Sequence, residues 1–420
     1  MNVTGYLGPE VQVRISAALV PGPGEPRFRG NTGDMMTIEW PVDQGAQDMS
    51  VSIAEHRLGG LRWIVLNGPD REAFGALGEH VRPELAALAQ AWPALPRLRR
   101  HVAGPPGRDL LAAVRAATEE AFPAEWAELT TFAAGAAVPL DDLVLRNLRG
   151  DLGLVDGGIG CSDLGWRRER SVVAHNEDGA LEDVGRCALL TMTGTGRPAV
   201  TAFWYPGFVP ANAFALTGDG LIWTVDHLPV ASPGPGAGRH FVGRGLQRTV
   251  RTVDDAVGYL RSRPSAGGFS YTIGDRAGRV VNVEAAAGRH AVTEAGPGPG
   301  PLLWHTNHGR YLSGAEPEAD GTSADRGETL DALGVPAEDP GPSWFLDVLT
   351  SPPPGGVRSD PRPDGRGLTT LCTLVADLTA GEAVIAARGE APVAIPLADL
   401  AEGNPRAQSN IETANRAPDN

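Results

Sequence analysis

Gly160-Cys161-Ser162 is followed by Val173-Ala174-His175-Asn176-Glu177-Asp178, which ends seventeen residues beyond Cys161. The approach, Asp151 to Gly160, contains Gly153, Gly157, Gly158 and Gly160 and has no helical period. Short apolar runs bounded by turn residues recur beyond it. The junction therefore separates two textures.

Upstream, segments near 70–91, 108–121, 124–135 and 139–149 carry apolar residues at three- and four-residue steps, which predicts helices. Pro83, Pro93, Pro105-Pro106, Pro123 and Pro139 punctuate them. Pro139-Leu140-Asp141-Asp142 reads as a helix start, with proline in the first turn and carboxylates at the positive dipole end. Arg62–Leu66 reads as a strand and Asn67-Gly68-Pro69-Asp70 as the turn after it. Residues 1–60 show only short alternating runs, at 11–15, 36–40 and 49–53. Downstream, strands are expected at 171–174, 187–193, 199–204, 221–225, 269–273, 280–283 and 371–375, with a helix over 254–261. Helices, then many strands, then a few helices imply sheets covered by helical layers, an α+β protein.

Composition narrows the function. The net charge of −15 argues against nucleic acid, because no basic field is available to displace counterions from phosphates. All 36 basic residues are arginine, which excludes a lysine base or Schiff base. Cys161, Cys187 and Cys372 form neither a disulfide framework nor a zinc site. His305 and His308, three residues apart, lack a third ligand nearby in sequence, so no metal or cofactor is expected. The start of the chain lacks the pattern of a signal peptide, and no apolar run approaches the roughly 20 residues of a membrane helix. A cytoplasmic protein without a membrane partner is the expectation.

A thiol attacks as the thiolate, and free cysteine titrates near ~8.5, so it needs a base. An α-amine, titrating near ~7.7–8.0, can serve as one. Cleavage between Gly160 and Cys161 would create nucleophile and base on one residue. The same thiol can perform that cleavage by attacking the Gly160 carbonyl, and glycine tolerates the strained dihedrals of a scissile loop. Alone, the Gly-Cys dipeptide is no stronger than the ordinary reading of a buried apolar cysteine, which Cys187 and Cys372 keep.

Three blocks give the junction its context. They are Asn147-Leu148-Arg149 leading to Gly160-Cys161-Ser162, Val173 to Asp178, and His305-Thr306-Asn307-His308. In order and spacing the set resembles the acyl-coenzyme A:6-aminopenicillanate acyltransferase family, the cysteine branch of the N-terminal nucleophile (Ntn) hydrolases. Leu66 to Pro69 with Arg71-Glu72, Tyr205-Pro206-Gly207 and Val283-Glu284 add to it, and the likeness runs from about 65 to 390.

The resemblance implies a four-layer αββα sandwich. It also implies autocatalytic cleavage of one precursor into an α-chain of 1–160 and a β-chain of 161–420 that stay packed as one domain, with assembly of such units open. Cys161 would be the nucleophile, Asp178 would orient its amine, and Asn307 would donate to the oxyanion. Where the family carries Asn, this chain has Val225-Asp226-His227-Leu228. An ionised Asp226 could not stabilise an oxyanion, so a substrate contact or a partnership with His227 is expected instead. Asn176 and the aromatic residues Trp204, Tyr205, Phe208, Phe269 and Tyr271 are further candidates for the substrate pocket, against their ordinary reading as core.

The reaction would pass through a thioester on Cys161, formed from a small amide or an acyl thioester. Water as acceptor makes an amidohydrolase; an amine makes an acyltransferase. A non-catalytic binding relative is the reading from another class. Arg97–Arg100 and Arg167–Arg170 are candidate basic patches for a coenzyme A donor.

Overall fold

A computed structural model describes residues 50–92, 94–154, 160–194, 196–296, 300–313, 322–362 and 367–410, with four short strands before residue 50. Two compact units result, Met1–Ser50 and Val51–Asn420. In the first, Asn2–Tyr6 pairs antiparallel with Gln12–Ser16, and Arg27–Gly30 with Met36–Glu39.

The second unit holds two large sheets. In the nine-stranded one the order is Arg289–Glu294, Val280–Ala286, Gly268–Gly274, Ile222–His227, Asn212–Thr217, Val200–Trp204, Ala188–Thr193, Leu61–Asn67 and Ser52–Leu58. Leu61–Asn67 runs parallel to Ala188–Thr193, and the other described ladders of this sheet are antiparallel. A parallel neighbour demands a long crossover. Here it comprises the helices between Asp70 and Leu148 and the first strands of the second sheet.

The seven-stranded sheet runs Leu302–His305, Gly160–Arg167, Ser171–Ala180, Leu368–Asp377, Glu382–Ala387, Val393–Pro396 and Ser409–Asn410. Successive side chains in a strand point to opposite faces, so each strand feeds two cores. Trp63, Leu189, Phe203 and Phe214 meet Val173, Leu374 and Ile385 between the sheets. Their neighbours Ile64, Leu190 and Trp204, with Tyr271, face outward onto Phe74, Leu77, Phe132 and Phe241 from helices. Val172, Ala174 and Val375 face the other way, onto Leu330, Phe345 and Leu349. The layers are thus helix, sheet, sheet, helix, the αββα sandwich that the resemblance implied.

The helical stretch before residue 150 breaks where its prolines allow, into Asp70–His80, Arg82–Ala91, Leu95–Ala103, Pro105–Ala121, Pro123–Ala136 and Leu140–Leu148. Arg239–Thr249 is a helix that the sequence did not announce. Its two glycines lower helix propensity, but close packing needs them: a Cβ at Gly245 would lie 2.4 Å from the Tyr259 hydroxyl. Arg244 on this helix forms a two-pronged ion pair with Glu128 at 2.9 and 3.0 Å. Among the described residues no helix is long and apolar enough to cross a membrane.

Candidate active site

Cys161 is the second residue of the Gly160–Arg167 strand, two per cent exposed, opposite Glu177 on Ser171–Ala180. The same register sets Gly160 opposite Asp178 and Asp163 opposite His175. A Cβ at residue 160 would lie 2.5 Å from Leu368 Cδ1 and 3.2 Å from Asp178 Cβ, so the glycine permits this close approach. The described part of the junction begins here; the glycines at 157 and 158 lie outside the described residues.

Each reacting group of Cys161 has a partner. Its backbone N–H donates to Asn307 Oδ1 at 2.9 Å, across 146 residues of sequence. Its thiol donates to Glu177 Oε2 at 3.2 Å. Arg326 then locks the position: Nη1 donates to the Cys161 carbonyl and to Ser162 Oγ (2.8 Å), and Nη2 to Asn307 Oδ1 (2.8 Å). Asn307 Nδ2 is engaged by the His227 carbonyl at 3.1 Å. Asp178 accepts from Ser359 Oγ and Thr370 Oγ1, both at 2.6 Å, from the segment leading into the Leu368–Asp377 strand and from the strand itself. Burial raises the Asp178 pKa, against the opposing pull of Arg326 and of these two hydroxyls.

Glu177 is the hub. Its Oε2 also meets His175 Nε2 at 3.2 Å, and its Oε1 accepts from the Tyr205 hydroxyl at 2.5 Å. His175 Nδ1 bonds Asp163 at 2.6 Å, whose other oxygen takes the Thr224 hydroxyl at 2.6 Å. Burial works against charge on His175, but the bonds to Asp163 and Glu177 outweigh it and carry the pKa up to about 10. The Cys161 thiol moves the opposite way for its reactivity. Burial first, then the Glu177, Asp226 and Asp178 carboxylates, push it well above its usual value. Cys161 is therefore a neutral thiol, hydrogen-bonded to Glu177.

Cys161, His175 and Glu177 bring their ligand atoms within 4.8 Å of one another, as do Asp163, His175 and Asp226. A ring protonated on both nitrogens has no lone pair for a metal, which makes His175 a poor ligand in this state.

Cys161, Glu177 and Asp178 line a cavity of about 300 Å³, whose walls include Tyr205, Phe208, His227, Arg239, His240 and Phe269. Of the candidate substrate-contact residues, Tyr205, Phe208, His227 and Phe269 line this cavity. Trp204 is core, its indole N–H donating to the Phe208 carbonyl at 2.8 Å. Tyr271 is core too. Asn176 is tied to the Leu349 carbonyl and the Thr373 hydroxyl, both at 2.6 Å, on the helix-covered side. Asp226 bonds His305 Nδ1 at 2.9 Å rather than its neighbour His227 and is not among the cavity walls. Strand alternation explains the divergence: adjacent residues 226 and 227 face opposite sides of the sheet. Sequence reasoning missed Glu177, His175, Tyr205 as a carboxylate partner, and Arg326. The first two lie inside the quoted motif, whereas nothing local marks Arg326.

The family model described as acyl-coenzyme A:6-aminopenicillanic acid acyl-transferase matches residues 166–331. That stretch carries His175 to Asp178, Asn307 and Arg326. The chain resembles this cysteine Ntn family. The match supports a hydrolase or acyltransferase of the Ntn kind. Solved structures that resemble the chain include a mutant conjugated bile acid hydrolase from Clostridium perfringens, at 12% identity over 60% of this chain and 97% of that one, TM-score 0.36. Another is penicillin V acylase from Agrobacterium tumefaciens, at 13% identity over 58% of this chain and 88% of that one, TM-score 0.34. No curated protein matches the chain.

Proposed function

We propose that the protein is a self-cleaving cysteine Ntn hydrolase that cuts a linear amide of a small N-acylated molecule. The observation that carries this reading is the 2.9 Å bond from the Cys161 N–H to Asn307 Oδ1, which fixes the nitrogen that must leave. In self-cleavage, Glu177 Oε2 accepts the thiol proton as Sγ bonds to the Gly160 carbonyl carbon. The carbon–nitrogen bond then breaks, the Cys161 nitrogen takes a proton, and Gly160 is left as a thioester on Cys161. Water hydrolyses it, giving a Gly160 carboxylate, a free thiol and a free α-amine.

Arg326, on the Cys161 carbonyl and on Asn307, keeps residue 161 in place after its covalent tie is lost. The new amine lies beside Asn307 Oδ1, on the residue opposite Glu177 and next to the Gly160–Asp178 pair, where the carboxylates favour its charge. In turnover the same thiol attacks the substrate amide, the amine leaving group departs, and water releases the acid.

The test is the intact mass of the purified protein with Cys161→Ala beside it. Two chains dividing at Cys161 are expected in the wild type and one uncut chain in the variant. A wild-type chain that stays whole under conditions where it hydrolyses amides would sink the proposal.

A further inference from the structure

The cavity beside Cys161 carries more positive charge than its own carboxylates neutralise. Arg146 and Arg149, at the end of the Leu140–Leu148 helix, hold their guanidinium carbons each 4.6 Å from the Phe208 ring centroid. Arg239, at the start of Arg239–Thr249, lies 4.3 Å over Phe269. His240 joins the two aromatic rings, 5.2 Å from each, so the three arginines share one continuous wall. All three line the cavity with Cys161.

Elsewhere the molecule pairs such groups, as in Arg244 with Glu128. Here, among the described residues, no carboxylate lies within ion-pair distance of Arg146, Arg149 or Arg239. Arg146 and Arg239 are more than nine-tenths buried, and the Nε of each has no hydrogen-bond partner. Arg239 Nη1 reaches only neutral acceptors, His227 Nδ1 and the Gly268 carbonyl at 2.8 Å. The acids of the cavity are spent or distant. Glu177 serves the thiol, Tyr205 and His175; Asp178 serves Ser359 and Thr370; Asp183 attracts Arg146 and Arg149, and Asp151 attracts Arg239, from beyond ion-pair distance; Glu182 is exposed. Burying unpaired guanidinium groups is costly, and a bound anion removes that cost. Burial lowers the Arg146 pKa to about 10, and burial with repulsion from Arg239 and Arg146 lowers that of Arg149 to about 9.

The arrangement is built rather than incidental. Asn147 donates to the Gly207 carbonyl (3.0 Å) and accepts from the Val209 N–H (2.8 Å), fixing the turn that carries Phe208, and its own carbonyl bonds His240 Nδ1 at 2.7 Å. Gly150 leaves room for Arg239: a Cβ there would lie 2.2 Å from the guanidinium carbon.

We infer that this wall binds a carboxylate, so that the substrate is a linear amide carrying a free acid group, its apolar body resting on Phe208 and Phe269. The inference rests on the reading of Cys161 as the reacting group. It is the guanidinium fork that selects a planar carboxylate, by paired N–H bonds.

The experiment is calorimetric titration of the full-length wild-type protein, its cleavage state read first by mass, with 4-oxoundecanoic acid, the ketone analogue of N-octanoylglycine that cannot be hydrolysed, and with its methyl ester. The acid is expected to bind about 10–100-fold more tightly, the range of a charged hydrogen-bonded contact. Arg239→Gln should remove most of that difference by weakening the acid far more than the ester, and Arg149→Gln, at a less buried position, carries the same test if Arg239→Gln does not fold. Equal binding of acid and ester, binding of neither, or a preference that survives the arginine substitutions overturns the inference. Self-cleavage of the wild type is read separately by mass, so the two proposals fail independently.

Discussion

His175 and His305 are each gripped by two carboxylates, the first by Asp163 and Glu177, the second by Asp226 and Glu284. Both rings are fully buried, and in both the paired acids overcome burial, raising the pKa to about 10 and about 9 respectively. The clusters differ in what their outer carboxylate faces. Glu284 is saturated by the backbone N–H groups of Arg310, Tyr311 and Leu312 at 2.6, 3.0 and 2.5 Å, so it anchors the chain that follows Asn307. Glu177 faces a thiol and a phenol instead. Identical chemistry at a histidine therefore supports a scaffold in one place and, in the mechanism we propose, a proton acceptor in the other. Neighbours of the acid decide which.

Exchanging each acid for its amide breaks the comparison most directly. Glu177→Gln keeps the shape but loses the base, and self-cleavage should slow by about 10²–10⁴-fold, the usual share of general-base catalysis. Glu284→Gln should cost roughly 1–3 kcal/mol of stability through buried groups left unpaired, yet cleave to completion once folded. Timed gels of freshly purified chains, with denaturant curves alongside, separate the two. Equal slowing in both variants would erase the distinction.

Arg326→Lys comes next. One ammonium cannot span the Cys161 carbonyl, Ser162 and Asn307 together. Loss of charged hydrogen bonds worth about 1.5–3 kcal/mol predicts roughly 10–100-fold slower cleavage. Unchanged kinetics in the same gels would show that the guanidinium fork only fills space. Tyr205→Phe removes a single neutral donor from Glu177 Oε1 and should change the rate only about 2–10-fold.

The order of these effects follows what the sequence could and could not reveal. Gly160, Cys161, Asp178 and Asn307 were legible because short motifs mark them, and the structure brings them together through one strand register and one 2.9 Å bond. Most of the expected strands fall inside observed ones. Asn212–Thr217 and Arg239–Thr249 were not legible: the first opens with polar Asn and is broken by alanine, and the second is rich in glycine and arginine. Tertiary packing overrode local preference in each. Arg326, and the bond from Tyr205 to Glu177, escaped for another reason. Their meaning lies wholly in the partners they meet across 165 and 28 residues. Asp226 was read from its neighbour in sequence, whereas a strand hands such neighbours to opposite faces.

The smallest expected effect is on stability, and its sign sharpens the comparison. Each histidine gains protons on folding, because its pKa rises from 6.5 to about 10 for His175 and to about 9 for His305. Such a group contributes stability that is fully present below pH 6.5 and is lost as pH climbs through the folded value. The melting midpoint of the Cys161→Ala protein should therefore fall between pH 7 and 10. Glu177→Gln takes one charged partner from His175, so in that background the fall should be smaller and end at lower pH; Glu284→Gln should do the same through His305. A midpoint flat across this range would mean that neither ring is charged in the folded chain. A fall that ignores Glu177→Gln but follows Glu284→Gln would place the charge in the scaffold cluster alone, and Glu177 would then face its thiol without a cation behind it.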